Sequence, residues 1–284
     1  QMQKHTFSVE KYKSELKSII IDILTQPDLD RKTIDKILKK HPKDKNEIFS
    51  RDSVIAGLQY FARSENAIEA GFEATDIERF EDIIDAIKLK PMRTASGVTT
   101  VTVLTKPFAC PGQCIFCPND VRMPKSYIAS EPGAQRALMN RFSPYGQVFN
   151  RLTALKNIGH PTQKIELLIL GGTWSYYSKN YKIWFIYECF RAMNDFSKKY
   201  SEQLDVESNN QEELKIISIK EDLKDDFNDK LRQIHGNKPY NQLIQTKEFK
   251  AEFDSKIIAE KEITWEALAN EQEVNSLSNC RCVG

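Results

Sequence analysis

Apolar residues recur at helical spacing through most of the first 90 residues. Side chains three and four positions apart share one face of a helix, so the pattern predicts short helices joined by polar turns. Thr75 and Glu78 form a plausible capping box for the last helix, which ends before Pro91. The predicted buried positions are Tyr12, Leu16, Ile19, Ile20, Ile23 and Leu24; Ile34, Ile37 and Leu38; Val54, Ile55, Leu58 and Phe61; and Ile77, Phe80, Ile83, Ile84 and Ile87.

From Met92 onward the pattern indicates alternating strands and helices. Residues 98–104 are β-branched and predict a strand, and the apolar run 165–170 predicts a buried parallel strand. Between them, residues 133–158 predict a helix with an interruption at Pro144. This order is typical of an α/β fold, either the start of a β/α barrel or an open sheet.

The last third of the chain continues this pattern after a polar interruption. Residues 183–196 predict an apolar helix in which Cys189 is a small core residue. We interpret residues 197–258 as a polar insertion, partly helical or disordered, on the outside of the barrel. A helix over 265–277 and a third strand at 280–284 follow, with Cys280 and Cys282 as core or strand residues on one side of that strand.

The composition is that of a globular protein in a reducing compartment. The 284 residues are 40% hydrophobic and 29% charged. No apolar run has the length of a membrane span, and the N-terminus lacks the apolar core of a signal peptide. We therefore expect a cytoplasmic protein without membrane contact, in which clustered cysteines are metal ligands rather than disulfides.

The net charge of +1 conceals two segments of opposite charge. Residues 91–165 contain nine Lys and Arg against two acidic residues, whereas residues 201–284 contain eleven against eighteen. The first segment favours an anionic partner such as RNA or a phosphate-bearing cofactor, although the same charges are also compatible with pairing to acids elsewhere. A lysine-rich patch near the second helix offers phosphate contacts or simply a solvated face: Lys36, Lys39, Lys40, Lys43 and Lys45.

Three cysteines lie in one short loop directly after the first predicted strand. Cys110, Cys114 and Cys117 occur in the run KPFACPGQCIFCP, in which prolines and a glycine prevent regular structure. Three thiolates can hold a metal while leaving one coordination position open, whereas a structural zinc site normally takes four protein ligands. An iron–sulfur cluster with one open iron fits this count; a zinc knuckle completed by a remote ligand, or unrelated thiols in a reducing cell, are the alternatives. The spacing, with the aromatic Phe116 before the third cysteine, resembles the signature of radical S-adenosylmethionine (SAM) enzymes.

The second predicted strand also ends in residues suited to a ligand. Gly171, Gly172 and Thr173 follow it directly, and the glycines leave the backbone open to close approach. Ligands of α/β folds sit at the C-terminal ends of the strands. Two successive strand ends would then supply the iron ligands and the backbone that holds the amino group of SAM.

The flanking sequence closely resembles the catalytic subunit of Elongator, the tRNA uridine acetyltransferase family. The resemblance is dense over residues 90–174 and weaker over the N-terminal helices. It rests on the runs KPMRTASG (90–97), SYIASEPGAQRALMNRFSPY (126–145) and RLTALKNIGHPTQKIELLILGGTW (151–174).

The resemblance implies cofactors and their binding residues. Cys110, Cys114 and Cys117 would hold a four-iron four-sulfur (4Fe-4S) cluster, in the family's shorter form of the loop. Gly171, Gly172 and Thr173 would belong to the SAM-binding motif, and the aromatic ring of Phe116 could pack beside a planar ligand. Lys164 matches a lysine associated with acetyl-coenzyme A (acetyl-CoA). The implied chemistry is radical activation of the acetyl group and its addition to C5 of the wobble uridine, giving a carboxymethyl product.

The resemblance also implies a domain organisation. Residues 1–90 would be a helical region that binds the tRNA anticodon arm, and residues 91–284 part of a radical SAM TIM-type barrel. Two complete βα units and a truncated third cannot close a barrel, and the family's C-terminal acetyltransferase domain is absent. We therefore expect a fragment, inactive alone; a split gene is the other explanation. A homodimer or Elongator-like subunits are possible partners.

Two other functions are compatible with these residues. The chain could be a tRNA-binding or scaffold module with a purely structural metal site, which would bind tRNA without cleaving SAM. It could also be part of a radical SAM enzyme with another substrate, because three cysteines and a Gly-Gly pair fit many such enzymes.

Overall fold

The computed structural model describes residues 7–27, 29–44, 47–88, 96–112, 114–201 and 226–284. They divide into two compact units. Unit 1 comprises residues 1–97 with 154–161, and unit 2 comprises residues 98–153 with 162–284. Most of the run KPMRTASG, Lys45 and residues 202–225 of the predicted insertion lie outside the described residues.

Unit 1 is mainly helical, as its apolar spacing predicts. A short 3-10 helix, Glu10–Tyr12, precedes the first α-helix, and a small antiparallel hairpin pairs Pro42 with Ile48. The elements of the first 97 residues are α1 (Lys13–Leu24), α2 (Arg31–Lys40), β1 (Pro42–Asp44), β2 (Glu47–Ile48), α3 (Arg51–Phe61), α4 (Ser64–Ala70) and α5 (Ala74–Ile87). The hairpin and α4 are absent from the sequence prediction.

The apolar faces of these helices form one core. Most predicted positions are buried in it, and Tyr12, Leu24, Ile77 and Ile84 pack partly buried at its edge. The predicted capping box is wrong by two residues. Helix α5 begins at Ala74, so the Glu73 side chain caps it. The backbone N–H of Glu73 in turn donates to the Asp76 carboxylate at 3.1 Å.

Unit 2 is built on a three-stranded parallel sheet. Its strands are β3 (Thr99–Leu104), β4 (Lys164–Leu170) and β5 (Arg281–Cys282), in the order β3-β4-β5. Thr99 pairs with Ile165 and Leu104 with Leu170, and Ile165 also pairs with Cys282. The predicted α/β class and all three strands are therefore confirmed, whereas the assignment of these strands to a partial, truncated TIM-type barrel remains a prediction.

Helices connect these strands and cover part of the sheet. The predicted break at Pro144 separates α6 (Pro132–Met139) from α7 (Pro144–Asn157). The later helices are α8 (Lys179–Ser201), α9 (Asp226–His235), α10 (Tyr240–Leu243), α11 (Lys247–Glu252) and α12 (Trp265–Ser276), with 3-10 helices at Trp174–Tyr176 and Asp254–Lys256. Cys189 and Cys280 are buried, and burial raises the pKa of both thiols, that of Cys280 to about 12. In the part of the chain that is described, no helix has the length and apolar character needed to cross a membrane.

Strand β4 differs from the prediction in its burial. Ile165 is fully buried, but Leu168 on the opposite face is 44% exposed. Glu166 on that same face accepts a hydrogen bond from the Thr100 hydroxyl at 2.7 Å. Only one face of β4 is therefore packed by the described residues, although its apolar run predicted burial on both.

The second half of the predicted insertion is part of the core of unit 2. Leu231, Tyr240 and Phe249 are each at most 2% exposed. They belong to one apolar cluster with Leu104 of β3 and Leu138 of α6. The interpretation of 197–258 as an outer insertion is thus wrong for residues 226–258. Polar residues dominate this segment, but most of its large apolar side chains pack in this cluster, whereas Ile234 is exposed.

This packing predicts a large difference between two neighbouring substitutions in α9. Leu231→Ala should lower the free energy of unfolding by about 2–4 kcal/mol, because it leaves a cavity in a close-packed cluster. Ile234→Ala should change it by less than about 1 kcal/mol, because Ile234 is 52% exposed. Urea unfolding followed by circular dichroism measures both. Equal effects of the two substitutions would contradict the packing of α9.

Candidate functional site

The two loops predicted to bind ligands leave the same edge of the sheet. Strands β3 and β4 end side by side, with Leu104 paired to Leu170. The next backbone N–H, that of Thr105, donates to the carbonyl of Leu170 at 3.0 Å. The cysteine loop, defined here as residues 106–118, therefore starts beside Gly171.

The first cysteine lies against the end of β4. The thiol sulfur of Cys110 is 3.6 Å from the hydroxyl oxygen of Thr173, although 63 residues separate them in sequence. This contact brings together the two groups of residues that the sequence predicted to share a site. It places the Cys110 thiol beside Thr173, the residue that follows Gly171 and Gly172.

The rest of the cysteine loop is accessible. Cys114 is exposed, Cys117 is half-buried, and Phe116 is 88% exposed. The Cys117 thiol lies 3.3 Å from the hydroxyl of Ser126, which has a φ of +88°. The thiols and the aromatic ring are thus open to a large ligand.

The donor chemistry of this loop fits an iron–sulfur cluster, but the thiols are not preassembled around one point. Among the residues described, which omit Gln113 in this loop, no three His, Cys, Asp or Glu side chains are gathered as ligands for a metal ion. Three free thiols on one accessible loop nevertheless match the ligand type that such clusters require. Binding would turn the thiols toward a common centre.

Gly171 is required by the close approach of the two strand ends. Its φ is +144°, a conformation that side chains disfavour, and a Cβ atom there would lie 1.8 Å from the Thr105 hydroxyl oxygen. The first glycine of the predicted motif is therefore needed for packing the two loops together. The same packing keeps the backbone of this strand end uncovered by a side chain of its own.

Two tyrosines of the α8 region tie the loops together, and the sequence reading did not single them out. The Tyr177 hydroxyl donates to the carbonyl of Lys106 at 2.8 Å, so the Thr105 hydroxyl must donate the 2.8 Å bond that it makes to Tyr177. Tyr181 accepts from the backbone N–H of Lys106 at 3.0 Å. Burial raises the pKa of Tyr177 to about 12, so it stays a neutral donor. The two tyrosines are four residues apart and follow shortly after Gly171, Gly172 and Thr173, and this spacing is the sequence signal from which they could have been predicted.

A buried ion pair supports the chain just after the cysteine loop. Asp120 accepts from the Arg122 guanidinium at 2.8 Å through both carboxylate oxygens, and from the N–H of Ala129 at 3.0 Å. Burial alone would raise the pKa of Asp120. The hydrogen bonds of Arg122, Asn228 and Ala129, with the charge of Arg122, outweigh burial and hold this pKa below its usual value.

The lowered pKa of Asp120 predicts a pH-dependent effect of Asp120→Asn. A carboxylate with a depressed folded-state pKa contributes its full stability above its unfolded pKa and loses it as the pH falls through the folded pKa. Asp120→Asn should therefore cost about 1.5–3 kcal/mol at pH 7 and progressively less below about pH 4. Urea unfolding at pH 7, 5 and 3 measures the difference. The exposed control Asp229→Asn should have little effect, and a cost for Asp120→Asn that stays constant down to pH 3 would contradict the ion pair.

Lys164 lies apart from the other predicted site residues. It is the first residue of β4 and is exposed, and it lies opposite Arg281 in the register of the neighbouring strand β5. Gly171 follows the opposite end of that strand, roughly 20 Å away at the rise of an extended chain. The structure therefore brings Cys110 and Thr173 together and leaves Lys164 at the other edge of the sheet.

Several basic residues around the cysteine loop are used within the protein. Arg122 is paired with Asp120, and the Lys125 ammonium donates to the carbonyl of Gly112 at 3.0 Å. The ammonium of Lys106 lies 3.6 Å from the Glu260 carboxylate. Arg122 and Lys106 are thus paired with acidic residues and Lys125 with a backbone carbonyl, so the positive charge of this segment overstates the surface available to an anion.

Unit 1 carries an exposed basic face on α2. Lys36, Lys39 and Lys40 are exposed, whereas Ile37 and Leu38 of the same helix are buried in the core. Lys43, just after the helix, instead pairs with Glu47 at 3.2 Å. Three of the five predicted lysines thus face solvent on one helix.

Comparison with known proteins finds relatives for part of the chain. No protein-family model matches it. A tRNA uridine(34) acetyltransferase of Methanocaldococcus infernus is 43% identical over 136 residues, which is 46% of this chain and 25% of the relative. One of Dehalococcoides mccartyi is 45% identical over 105 residues, 37% of this chain and 23% of the relative. Elongator complex protein 3 of Bos taurus is 29% identical over 212 residues, 68% of this chain and 38% of the relative. The chain thus spans well under half the length of these relatives.

Proposed function

We propose that this chain belongs to the Elongator catalytic subunit family and is part of a radical SAM enzyme that modifies the wobble uridine of tRNA. The relatives are named tRNA uridine(34) acetyltransferase and Elongator complex protein 3. The proposed product is a carboxymethyl group at C5, made from acetyl-CoA. A protein containing this chain together with the parts that its relatives have in addition would carry out the reaction.

The observation that carries this proposal is the contact between Cys110 and Thr173. A zinc knuckle needs only its own ligands, whereas a SAM-cleaving site needs an open metal position beside a backbone that can bind SAM. The 3.6 Å contact joins the Cys110 thiol to Thr173, at the strand end where the Gly-Gly backbone would bind SAM. Cys110, Cys114 and Cys117 would hold the cluster, which when bound supplies the electron for reductive cleavage of SAM.

The other residues would bind and orient the reactants. The lack of side chains at Gly171 and Gly172 would let the polar end of SAM approach the backbone of this strand end. The exposed ring of Phe116 could stack on its adenine. Lys164 would neutralise a phosphate of acetyl-CoA. Because Lys164 lies at the opposite edge of the sheet, acetyl-CoA would have to extend along the open face of β4 to reach both ends.

Anaerobic reconstitution of the full-length protein with iron and sulfide tests this function. We expect about four irons per chain, as in a 4Fe-4S cluster, and release of methionine from SAM under reducing conditions. Retained tRNA binding without SAM cleavage would support the scaffold function instead. SAM cleavage without any tRNA binding would favour a radical SAM enzyme with another substrate.

The exposed face of α2 predicts a specific effect on tRNA binding. Replacing Lys36, Lys39 and Lys40 by Gln should weaken binding and lower the slope of log K against log salt by about one unit per lost phosphate contact. Filter binding of a tRNA anticodon arm at several salt concentrations measures this slope. Three exposed lysines of unit 2, Lys238, Lys247 and Lys250, provide the matched control. The same change of slope in both triple variants would contradict a role specific to α2.

A further inference from the structure

Residues 226–258 contact the chain at and after the cysteine loop through buried polar side chains. Asn228 accepts from the N–H of Val121 at 3.1 Å and donates to the Asp120 carboxylate at 2.9 Å. The Tyr240 hydroxyl donates to the carbonyl of Met123 at 2.7 Å. These three bonds join residues more than 100 positions apart, so this segment determines the path of the chain after Cys117.

The same segment reaches the first cysteine itself through Asn241. The side-chain oxygen of Asn241 accepts from the backbone N–H of Cys110 at 3.0 Å, and its side-chain nitrogen donates to the carbonyl of Cys110 at 2.7 Å. One amide side chain thus bonds both backbone groups of one cysteine. An amide is suited to this, because it has a donor and an acceptor side by side.

This arrangement fixes a residue that has no regular secondary structure to hold it. Hydrogen bonds to the N–H and the C=O of Cys110 fix the peptide planes on both sides of its Cα atom. The direction of the Cα–Cβ bond follows from those planes, and the thiol is then free only to rotate about that bond. A second tether acts two residues later, where Lys125 donates to the carbonyl of Gly112 at 3.0 Å.

The position of Asn241 is itself well determined. Its neighbours Tyr240 and Leu243 are both buried in the apolar cluster of unit 2, with 1% and 2% exposure. The bond from Tyr240 to Met123 anchors the same short helix α10 from the other side. Asn241 is therefore held by a packed core and is not a mobile surface side chain.

We propose that Asn241 is a positioning residue for Cys110, through which residues 226–258 hold the cysteine loop in the conformation that receives the cluster. The inference rests on the proposed function, because it assigns the purpose of that conformation. The bonds to Cys110 fix the backbone before any metal arrives. Cluster assembly would then start from a fixed backbone at Cys110.

Three variants of the full-length protein test this role. Asn241→Leu keeps the size of the side chain and removes both hydrogen bonds. Asn241→Asp keeps an acceptor for the N–H of Cys110 but has no donor for its carbonyl. Gln242→Leu is the matched control, because Gln242 is the adjacent amide on α10 and is exposed. Hydrogen exchange of the Cys110 amide in the metal-free protein is the first measurement. Iron content and the electron paramagnetic resonance spectrum after reconstitution are the second.

The expected result is a local change. Asn241→Leu should speed exchange of the Cys110 amide about tenfold or more, as expected for the loss of two hydrogen bonds, with amides of β3 unchanged. Asn241→Asp should lie between this variant and the wild type, and Gln242→Leu should match the wild type. The Leu variant should bind less than half the iron of the wild type and show a broadened spectrum.

The proposal is overturned if exchange at Cys110 is the same in Asn241→Leu and the wild type, or rises equally in Gln242→Leu. It is also overturned if the amide is deprotected but iron content and spectrum are unchanged, since Asn241 would then be only structural. If Asn241→Leu raises exchange everywhere, Asn241→Asp decides on the same criteria. A wild type that binds no iron refutes the proposed function, and with it the purpose assigned to Asn241. The exchange data still establish whether the hydrogen bonds of Asn241 hold the Cys110 backbone.

Discussion

Cys114→Ala should abolish cluster binding and SAM cleavage in the full-length protein. The substitution removes one of three thiolate ligands. The loss of cleavage should exceed the 10–100-fold that outer-shell substitutions typically cost, about 10²-fold or more. Because Cys114 is exposed, its removal leaves no cavity, and the folded state should be unaffected. Iron analysis and release of methionine from SAM measure the two losses.

Cys282→Ala is the control for this experiment. Cys282 lies half-buried in β5 and is paired with Ile165, outside the cysteine loop. This variant should bind as much iron as the wild type and cleave SAM as fast. Undiminished cleavage by Cys114→Ala, or equal losses in both variants, would refute the cluster assignment.

Gly171→Ala should have the largest effect on stability of any single methyl group added at the site. The new Cβ would lie 1.8 Å from the Thr105 hydroxyl oxygen, at a φ of +144°. Overpacking and backbone strain each cost about 1–3 kcal/mol, so a loss of about 2–6 kcal/mol of unfolding free energy is expected. Urea unfolding measures this loss of free energy. The movement of Thr105 should also separate the Tyr177 hydroxyl from the cysteine loop.

A second glycine separates the two causes of that loss. Gly236 has a φ of +68° but has no atom within 4 Å of an added Cβ, so Gly236→Ala should cost only the backbone term, about 1 kcal/mol. Adding Thr105→Ala to Gly171→Ala should recover part of the loss, since it removes the hydroxyl from the collision. If Gly171→Ala and Gly236→Ala cost the same, the close approach of the two strand ends is not the reason for this glycine.

The regular parts of the fold could be predicted because their side chains follow a local period. The i, i+3, i+4 spacing of α1 and the β-branched run of β3 each indicate one structure only. Likewise, the family resemblance rests on contiguous runs of sequence, and the relatives confirm it. The proximity of Cys110 and Thr173 follows from the rule that parallel strands end at a common edge.

The support of the site could not be predicted, because it depends on single polar residues far apart in sequence. Asn241 stands in a segment of low hydrophobicity, and nothing in its neighbours indicates a partner 131 residues earlier. The core role of 226–258 is hidden in another way, because the apolar residues of this segment are few and are divided among three short helices. Pairing of Arg122 with Asp120 likewise cannot be distinguished from a free basic residue by counting charges.

The long separation between Asn241 and Cys110 also determines when the site can form during synthesis. The cysteine loop leaves the ribosome 131 residues ahead of the side chain that holds it. At roughly 5–20 residues per second, translation needs roughly 7–26 s to cover that distance. Throughout that interval the nascent chain presents three accessible thiols, and Cys110 lacks its hydrogen bonds to Asn241. If the loop holds the proposed cluster, its orderly assembly would therefore wait until residues 226–258 have emerged and folded onto the loop.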